Sequence, residues 1–189
     1  MIPGIVASGQ LIAATGGPPA GFPYIGTNAV GASLETMTRH RVYAQQVTLA
    51  TDMLIVAIGA YLQASATDTS SHLSVALFTD AAGTPDMVVA YSGGTGSALS
   101  AQPGDELLLV DTGGNTSGRW LTRPLGYWAT AGDYWLAVQD NSVAPGRIAY
   151  DATGADRYYL AGGAWITDWG FTGPTTSANL YSIRAEAWS

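Results

Sequence analysis

Residues 72–85 read HLSVALFTDAAGTP, and this stretch decides the fold. Apolar residues stand at every second position from Leu73 to Leu77, which predicts a β-strand with one apolar face. The letters DAAGTP at 80–85 supply turn chemistry, because aspartate accepts hydrogen bonds from the amides that follow it and glycine adopts positive φ. Another apolar run at 87–91 follows the turn. The stretch therefore predicts a β-hairpin.

The same signal continues along most of the chain. A helix competes only at 53–66, where the β-branched residues Ile55, Val56 and Ile58 together with Gly59 favour a strand. Short strands about ten residues apart, joined by Gly-rich connections, predict an all-β fold, an antiparallel β-sandwich of jelly-roll-like type. Besides the hairpin, the predicted strands are 41–50, 53–63, 107–110, 119–122, 133–140, 147–150, 158–160 and 179–188.

Alternation also predicts which side chains face the core. In the strand at 53–63, one face is expected to carry Leu54, Val56, Ile58, Ala60 and Leu62. The strand at 133–140 has two apolar faces, which indicates a central strand or one covered by a neighbour. Tyr134, Leu136 and Val138 share the first face, and Trp135 and Ala137 share the second.

Residues 1–36 predict an extended N-terminal arm, followed by the sandwich domain at 37–189. Glycine and proline interrupt the arm before any periodicity develops, notably as GGPP at 16–19. Its apolar residues give it something to bury, so it suits an anchoring segment that lies on a neighbouring surface. The candidate anchoring residues are Ile2, Ile5, Val6, Leu11, Ile12, Phe22 and Tyr24.

Charge and residue usage exclude several classes of function. Charged residues make up 11% of the chain, against about 25% in typical soluble domains, so the surface suits packing against other protein. The net charge of −7 argues against nucleic acid, because phosphate binding needs clustered basic residues. All seven basic residues are arginine, which excludes a P-loop and a Schiff-base lysine. The absence of cysteine excludes disulfides and thiolate chemistry.

Targeting and membrane signals are also absent from the sequence. The longest apolar stretch, 53–62, is short of the roughly 20 residues that a helix needs to cross a bilayer. The first residues include no basic residue and no apolar run of signal-peptide length. We therefore expect neither a membrane partner nor a signal peptide.

Catalytic and metal-binding patterns are not evident. The sequence has no Gly-x-Ser-x-Gly elbow, and His40 and His72 stand near predicted strand ends rather than in a recognisable triad. Asp105 and Glu106 are adjacent, so on a strand they would point to opposite faces. The loop at 111–115, DTGGN, offers oxygen ligands that suit calcium but lacks a bidentate glutamate. We therefore expect no enzymatic activity and no cofactor, with calcium at this loop as the alternative.

Tryptophan and tyrosine are the enriched residues, with six Trp and ten Tyr in the chain. Trp165, Trp169 and Phe171 would share one face if their Gly-flanked stretch were extended. Aromatic residues with a polar tip suit three roles here: closing one end of the sandwich, contacting another subunit, or stacking on a sugar.

Four segments carry a family resemblance: RVYA at 41–44, IGAY at 58–61, LFTDAAGTP at 77–85 and AGDYWLAV at 131–138. In this order they resemble a β-sandwich domain of the structural proteins of tailed bacteriophages. In that family a strand ending in an aromatic residue leads into an Asp-x-x-Gly-x-Pro turn, and a later strand begins Ala-Gly-x-Tyr-Trp-Leu-Ala. The similarity covers residues 39–140, and it implies a virion protein without implying any catalytic residue.

The resemblance, together with the arm and the low charge, predicts a non-enzymatic virion protein on the capsid exterior or the tail. The leading hypothesis is a capsid decoration (head accessory) protein whose partner is the major capsid protein. A homo-oligomer is expected, and a trimer follows by analogy with sites of threefold symmetry. The alternative hypothesis is a tail-associated or cell-surface adhesion module that binds a glycan.

Overall fold

A computed structural model of the chain describes residues 23–63, 73–92, 118–140, 145–161 and 175–189. Within these ranges the chain forms eleven β-strands, all paired antiparallel. The strands are β1 (Tyr24–Gly26), β2 (Ser33–Thr36), β3 (Arg41–Leu49), β4 (Met53–Gln63), β5 (Leu73–Ala81), β6 (Thr84–Ser92), β7 (Arg119–Ala129), β8 (Gly132–Asp140), β9 (Arg147–Ala161), β10 (Thr175–Tyr181) and β11 (Ile183–Trp188).

The strands form two antiparallel sheets that pack face to face, which confirms the predicted β-sandwich. One sheet has the order β6-β5-β8-β3, and the end of β9 extends it beside β3. The other has the order β1-β11-β4-β7. The long strand β9 joins them, since its first residues pair with the end of β4 and its last residues pair with β3.

The core lies between the two sheets and excludes water from large apolar side chains of both. Tyr43, Leu77 and Leu136 of the first sheet and Ile58 and Ile183 of the second are fully buried. Burying a side chain of this kind contributes roughly 1.5–3 kcal/mol. Without disulfides, this packing holds the fold.

A β-bulge in β4 corrects the predicted core face of that strand. Ala57 pairs with Glu186 and Ile55 pairs with Ala187, so Val56 is an extra residue in the ladder. The extra residue reverses the alternation, because side chains change face at every position. Ile58, Ala60 and Leu62 face the core as expected, but Ile55 joins them in place of Leu54 and Val56.

The central strand β8 lies between β3 and β5 and is buried on both faces, as predicted. Tyr134, Leu136 and Val138 belong to the main core. Trp135 and Ala137 belong to a second apolar cluster on the opposite face of this sheet. The other buried members of that cluster are Val42, Ala44, Ala76 and Phe78.

Asp80 fixes both the predicted hairpin turn and the indole of Trp135. One carboxylate oxygen accepts the Gly83 backbone N–H at 2.9 Å. The other oxygen accepts the Trp135 Nε1–H at 2.7 Å and the side-chain amide of Gln46 at 3.0 Å. Ala82 and Gly83 both have positive φ, as a two-residue hairpin turn of type I′ requires. Asp80 therefore fixes the turn and also positions Trp135 in the second apolar cluster.

Two short strands lie within the stretch predicted as an arm. β1 pairs with β11 and β2 pairs with β9, which places residues 23–36 on the sandwich. Between them, Gly31 touches the backbone of Tyr150, and its N–H donates to the Ser182 hydroxyl at 2.9 Å. Residues 1–22 lie outside the described part of the chain.

The structure also redraws the later strand boundaries. The predicted strand at 179–188 is two strands, β10 and β11, because the chain changes partner from β9 to β4 at Ser182. The predictions at 147–150 and 158–160 are one strand, β9, and β7 continues to Ala129. The predicted strand at 107–110 lies outside the described residues.

Candidate functional site

The outer face of the β1-β11-β4-β7 sheet, which is turned away from the core, carries the candidate site. Along β11, three core side chains alternate with those of Arg184, Glu186 and Trp188. The latter three therefore lie on the outer face. Directly paired residues on β4 and β7 point to the same side and continue this face across the sheet.

The guanidinium of Arg184 lies between two aromatic rings. Its Cζ is 3.9 Å from the ring centroid of Tyr24 and 3.9 Å from that of Trp120. Its Nη1 donates to Oδ1 of Asn28. Burial lowers the pKa of Arg184, although Tyr24 and Glu186 act in the opposite direction. Cation–π contacts of desolvated groups are each worth up to about 2 kcal/mol, so they offset part of the cost of burying the charge.

Trp120 is itself held in place by a neighbouring aromatic residue. The ring of Tyr61 meets it edge to face, with the centroids 5.9 Å apart. The Tyr61 hydroxyl donates to the Gly118 carbonyl at 2.7 Å, at the start of β7. Tyr24, Arg184, Trp120 and Tyr61 thus form a continuous stack across the outer face.

Glu186 is buried on the same face, between Arg184 and Trp188 in the alternation of β11. Burial raises the pKa of its carboxyl group, and the positive charge of Arg184 only partly opposes this. Glu186 is 8% exposed. Burial therefore destabilises the ionised carboxylate, so the free energy of unfolding should depend on the protonation of Glu186.

Replacing Glu186 with glutamine is expected to stabilise the protein more at neutral pH than in acid. In the folded state the pKa of Glu186 lies above its ordinary value of 4.5. The folded protein therefore holds a proton that the unfolded chain releases. The stability contributed by Glu186 is full below pH 4.5 and is lost as the pH rises through the folded-state pKa.

Urea unfolding of both proteins at about pH 3.5 and about pH 7 measures this effect as the difference in free energy of unfolding. The advantage of the Glu186→Gln variant should grow from the lower to the higher pH. An advantage that shrinks with rising pH would mean that Arg184 stabilises the carboxylate by more than burial costs.

Two exposed tryptophans lie in one row at the end of this face. Trp188 pairs with Leu54, and Leu54 pairs with Trp128, so the three side chains point to the same side of β11, β4 and β7. We call these three residues the tryptophan row. Trp128 is 58% exposed and Trp188 is 59% exposed, while Leu54 is half-buried between them. Large apolar side chains this exposed on a folded domain suit a contact surface.

A second polar cluster ties β2 to β10. Glu35 accepts hydrogen bonds from the Asn179 side-chain amide at 3.0 Å and the Tyr181 hydroxyl at 3.2 Å. Burial raises the pKa of Tyr181, so its hydroxyl stays protonated and acts as a donor. The ring of Tyr181 meets that of Tyr43 edge to face, with centroids 5.1 Å apart. This geometry supports the fold rather than chemistry.

Of the residues singled out from the sequence, only some lie in the described part of the chain. Tyr24 lies in β1, where its ring stacks on Arg184 of the same chain. His40 lies in the turn before β3 and has positive φ. The following lie outside the described residues: Trp165, Trp169, Phe171, His72, the loop at 111–115, and the arm residues Ile2, Ile5, Val6, Leu11, Ile12 and Phe22.

Within the described ranges, no three histidine, aspartate or glutamate side chains are grouped closely enough to hold a metal ion. No helix in the described part of the chain is long and apolar enough to span a bilayer.

The residues that sequence reasoning missed are Arg184, Trp120 and the tryptophan row. The sequence of β11 contains a weak indication of this face, because charged and apolar residues alternate along it. The charged residues are Arg184 and Glu186, and the apolar residues are Ile183, Ala185 and Ala187. That alternation identifies which residues face outward. It does not identify the rings on either side of Arg184, because Tyr24 and Trp120 come from distant parts of the chain.

The sequence matches no protein-family model, and no curated protein matches it at a significant level.

Proposed function

We propose that this chain is a non-enzymatic structural protein of a tailed-bacteriophage virion, most specifically a capsid decoration protein. It binds the outer shell through its N-terminal arm and its sandwich, and the major capsid protein is the partner. Each copy buries surface on neighbouring shell subunits. Because the protein binds the assembled shell and not the separated subunits, its binding stabilises the shell against dissociation. Nucleic acid is not the proposed partner, because a chain with a net charge of −7 repels the phosphate backbone.

One observation carries the proposal. Three of the four segments that resemble the phage domain lie in β3, in the β5-β6 hairpin and in β8, and these are neighbouring strands of one sheet. Inside that sheet, Asp80 of the hairpin motif binds the indole of Trp135 from the later motif. The resembling residues thus form one physical unit, which supports a shared domain rather than scattered similarity.

The arm hypothesis is tested by removing residues 1–22. The truncation stops before Pro23 because β1 and β2 belong to the sandwich, and Pro23 accepts the backbone N–H of Ala187. We expect the truncated chain to fold with nearly unchanged thermal stability and to lose binding to purified shells that lack the protein. Co-sedimentation with the shells measures the binding. A truncated chain that binds like the full chain would contradict anchoring by residues 1–22.

The adhesion module remains the alternative function, and the tryptophan row is the observation that favours it. A glycan-binding module needs exposed aromatic residues grouped on one face, and Trp128 and Trp188 meet that condition. The two functions differ in partner. A decoration protein binds empty shells without any glycan, whereas an adhesion module binds host-surface polysaccharide and not the shell.

A further inference from the structure

The tryptophan row belongs to a wider apolar area on the outer face of the β1-β11-β4-β7 sheet. Beside the row, Ala57 of β4 pairs with Pro124 of β7, and Pro124 is exposed. On β11 the next outward residue is Glu186, whose side chain is buried. The exposed part of this area is therefore apolar, and it suits an occupant that offers apolar side chains.

Residues 1–22 precede β1 in the sequence, and β1 begins at this same end of the sheet. The backbone carbonyl of Pro23 accepts the N–H of Ala187, the residue before Trp188, at 3.2 Å. From there β1 pairs antiparallel with β11. In that register, the residue opposite Trp188 would be Phe22. Residues 1–22 are thus tethered directly beside the row.

Positions 22 and 188 would form a pair of the kind that brings side chains close together. Hydrogen-bonded and non-hydrogen-bonded pairs alternate along an antiparallel ladder. Pro23 and Ala187 form a hydrogen-bonded pair, so the next positions form a non-hydrogen-bonded pair. Directly opposite residues of an antiparallel pair have Cβ atoms about 4.5–5.5 Å apart, and they point to the same face. The register would therefore place the Phe22 ring against the Trp188 indole.

The composition of residues 1–22 matches the apolar area beside them. None of these residues has a charged side chain, so the segment can approach a chain of net charge −7 without repulsion. Docking on the row would remove apolar side chains of both partners from water, which supplies the free energy of the contact. The large apolar side chains of the segment include Ile2, Ile5, Val6, Leu11, Ile12 and Phe22.

Tethering and length favour the segment of the same chain over a separate molecule. A short flexible linker gives an effective concentration on the order of millimolar. The row extends over roughly 10 Å from β11 to β7, whereas residues 1–15 would span roughly 50 Å when extended. The stretch GGPPAG at 16–21 supplies turn formers between residues 1–15 and β1. The segment is thus long enough to turn back over the row.

We infer that residues 1–22 dock on the tryptophan row of their own chain. Phe22 packs against Trp188, and the apolar residues that precede it cover Leu54 and Trp128. The contact lies outside the core, so the sandwich folds whether or not the segment is docked. The inference goes beyond the proposed function, because it concerns the free chain and can hold or fail whatever the shell assay shows.

The contact between Phe22 and Trp188 is tested with a disulfide in the full chain. The chain contains no cysteine, so two introduced cysteines are its only thiols. After oxidation with diamide, the Phe22→Cys/Trp188→Cys variant should lose its free thiols to a cross-link within one chain, because the paired Cβ atoms lie close enough to bridge. The matched control is Phe22→Cys/Tyr91→Cys, since Tyr91 is 50% exposed but lies on β6 of the other sheet. The control should keep its free thiols.

Docking of the whole segment is tested by tryptophan fluorescence of the full chain. Phe22→Asp places a charge in an apolar contact and should release the segment. Acrylamide should then quench the fluorescence more strongly than in the unmodified chain. The increase should be absent from a chain in which Trp128 and Trp188 are both replaced with phenylalanine. Tyr91→Asp should leave the quenching unchanged, and thermal unfolding checks the fold of every variant.

Three results would overturn the inference. The Phe22→Cys/Trp188→Cys variant could keep its free thiols under oxidation. Phe22→Asp could leave the quenching unchanged. Cross-links that join two chains would also contradict it, because they would assign the row to the segment of a second copy. Electrophoresis without reducing agent separates cross-links within one chain from those between two chains.

Discussion

Replacing Asp80 with alanine is expected to lower the free energy of unfolding by about 3 kcal/mol, which is roughly 10 °C in Tm for a chain of this size. The carboxylate accepts three hydrogen bonds, and one of the donors is the indole N–H of Trp135, which is 1% exposed. Without Asp80 the buried indole N–H loses this acceptor, and a buried donor that loses its acceptor costs more than the lost bond itself.

Two further variants separate the buried hydrogen bond from a general loss of charge. Asp80→Asn keeps an acceptor oxygen and should recover about half of the loss. Asp133→Ala removes an exposed aspartate that accepts one hydrogen bond, from Thr48 at 2.6 Å, and should cost less than about 1 kcal/mol. Thermal and urea unfolding measure all three. An equal loss in Asp80→Ala and Asp133→Ala would contradict the role given to Asp80.

Replacing Gly31 with alanine is expected to destabilise the protein by about 3 kcal/mol, because the added methyl group overpacks a contact that cannot relax. A Cβ at this position would lie 2.3 Å from the carbonyl carbon and 2.5 Å from the carbonyl oxygen of Tyr150. These atoms belong to β9, which pairs with four strands. We expect β2 to detach, so amide hydrogen exchange at Ser33–Thr36 should become faster.

Gly83 provides the matched control for Gly31. A Cβ at Gly83 would meet no atom within 4 Å, although the residue has a φ of 83°. Gly83→Ala therefore tests conformation alone and should cost about 1–2 kcal/mol. An equal loss of unfolding free energy in Gly83→Ala and Gly31→Ala would contradict the role given to the contact between Gly31 and Tyr150. Unchanged hydrogen-exchange protection of β2 in Gly31→Ala would contradict it as well.

Local patterns predicted the strands that pack in the core, because the side-chain period of two is a local property of the chain. This is why β8 was identified as a central strand and the hairpin at Asp80 was correctly placed. The bulge at Val56 was not predicted, since it depends on the register of β4 against β11. The change of partner at Ser182 depends in the same way on strands that are distant in sequence.

The candidate site was harder to predict than the fold for a related reason. Arg184 is stacked between Tyr24 and Trp120, which are 160 and 64 positions away from it in the sequence. β1 and β2 have three and four residues, too few to show periodicity. The tryptophan row needs the pairing of three strands, and none of its members stands out in its own segment.

The proposal that this chain is part of a virion is tested most directly by imaging purified particles of the tailed phage that, on this proposal, encodes it. An antibody raised against the sandwich, or cryo-electron microscopy of the particles, locates each copy. We predict regular sites on the outer surface of the capsid, in contact with the major capsid protein. Intact particles that contain no copy of the chain would contradict the proposed function, and copies found only on the tail would contradict capsid decoration.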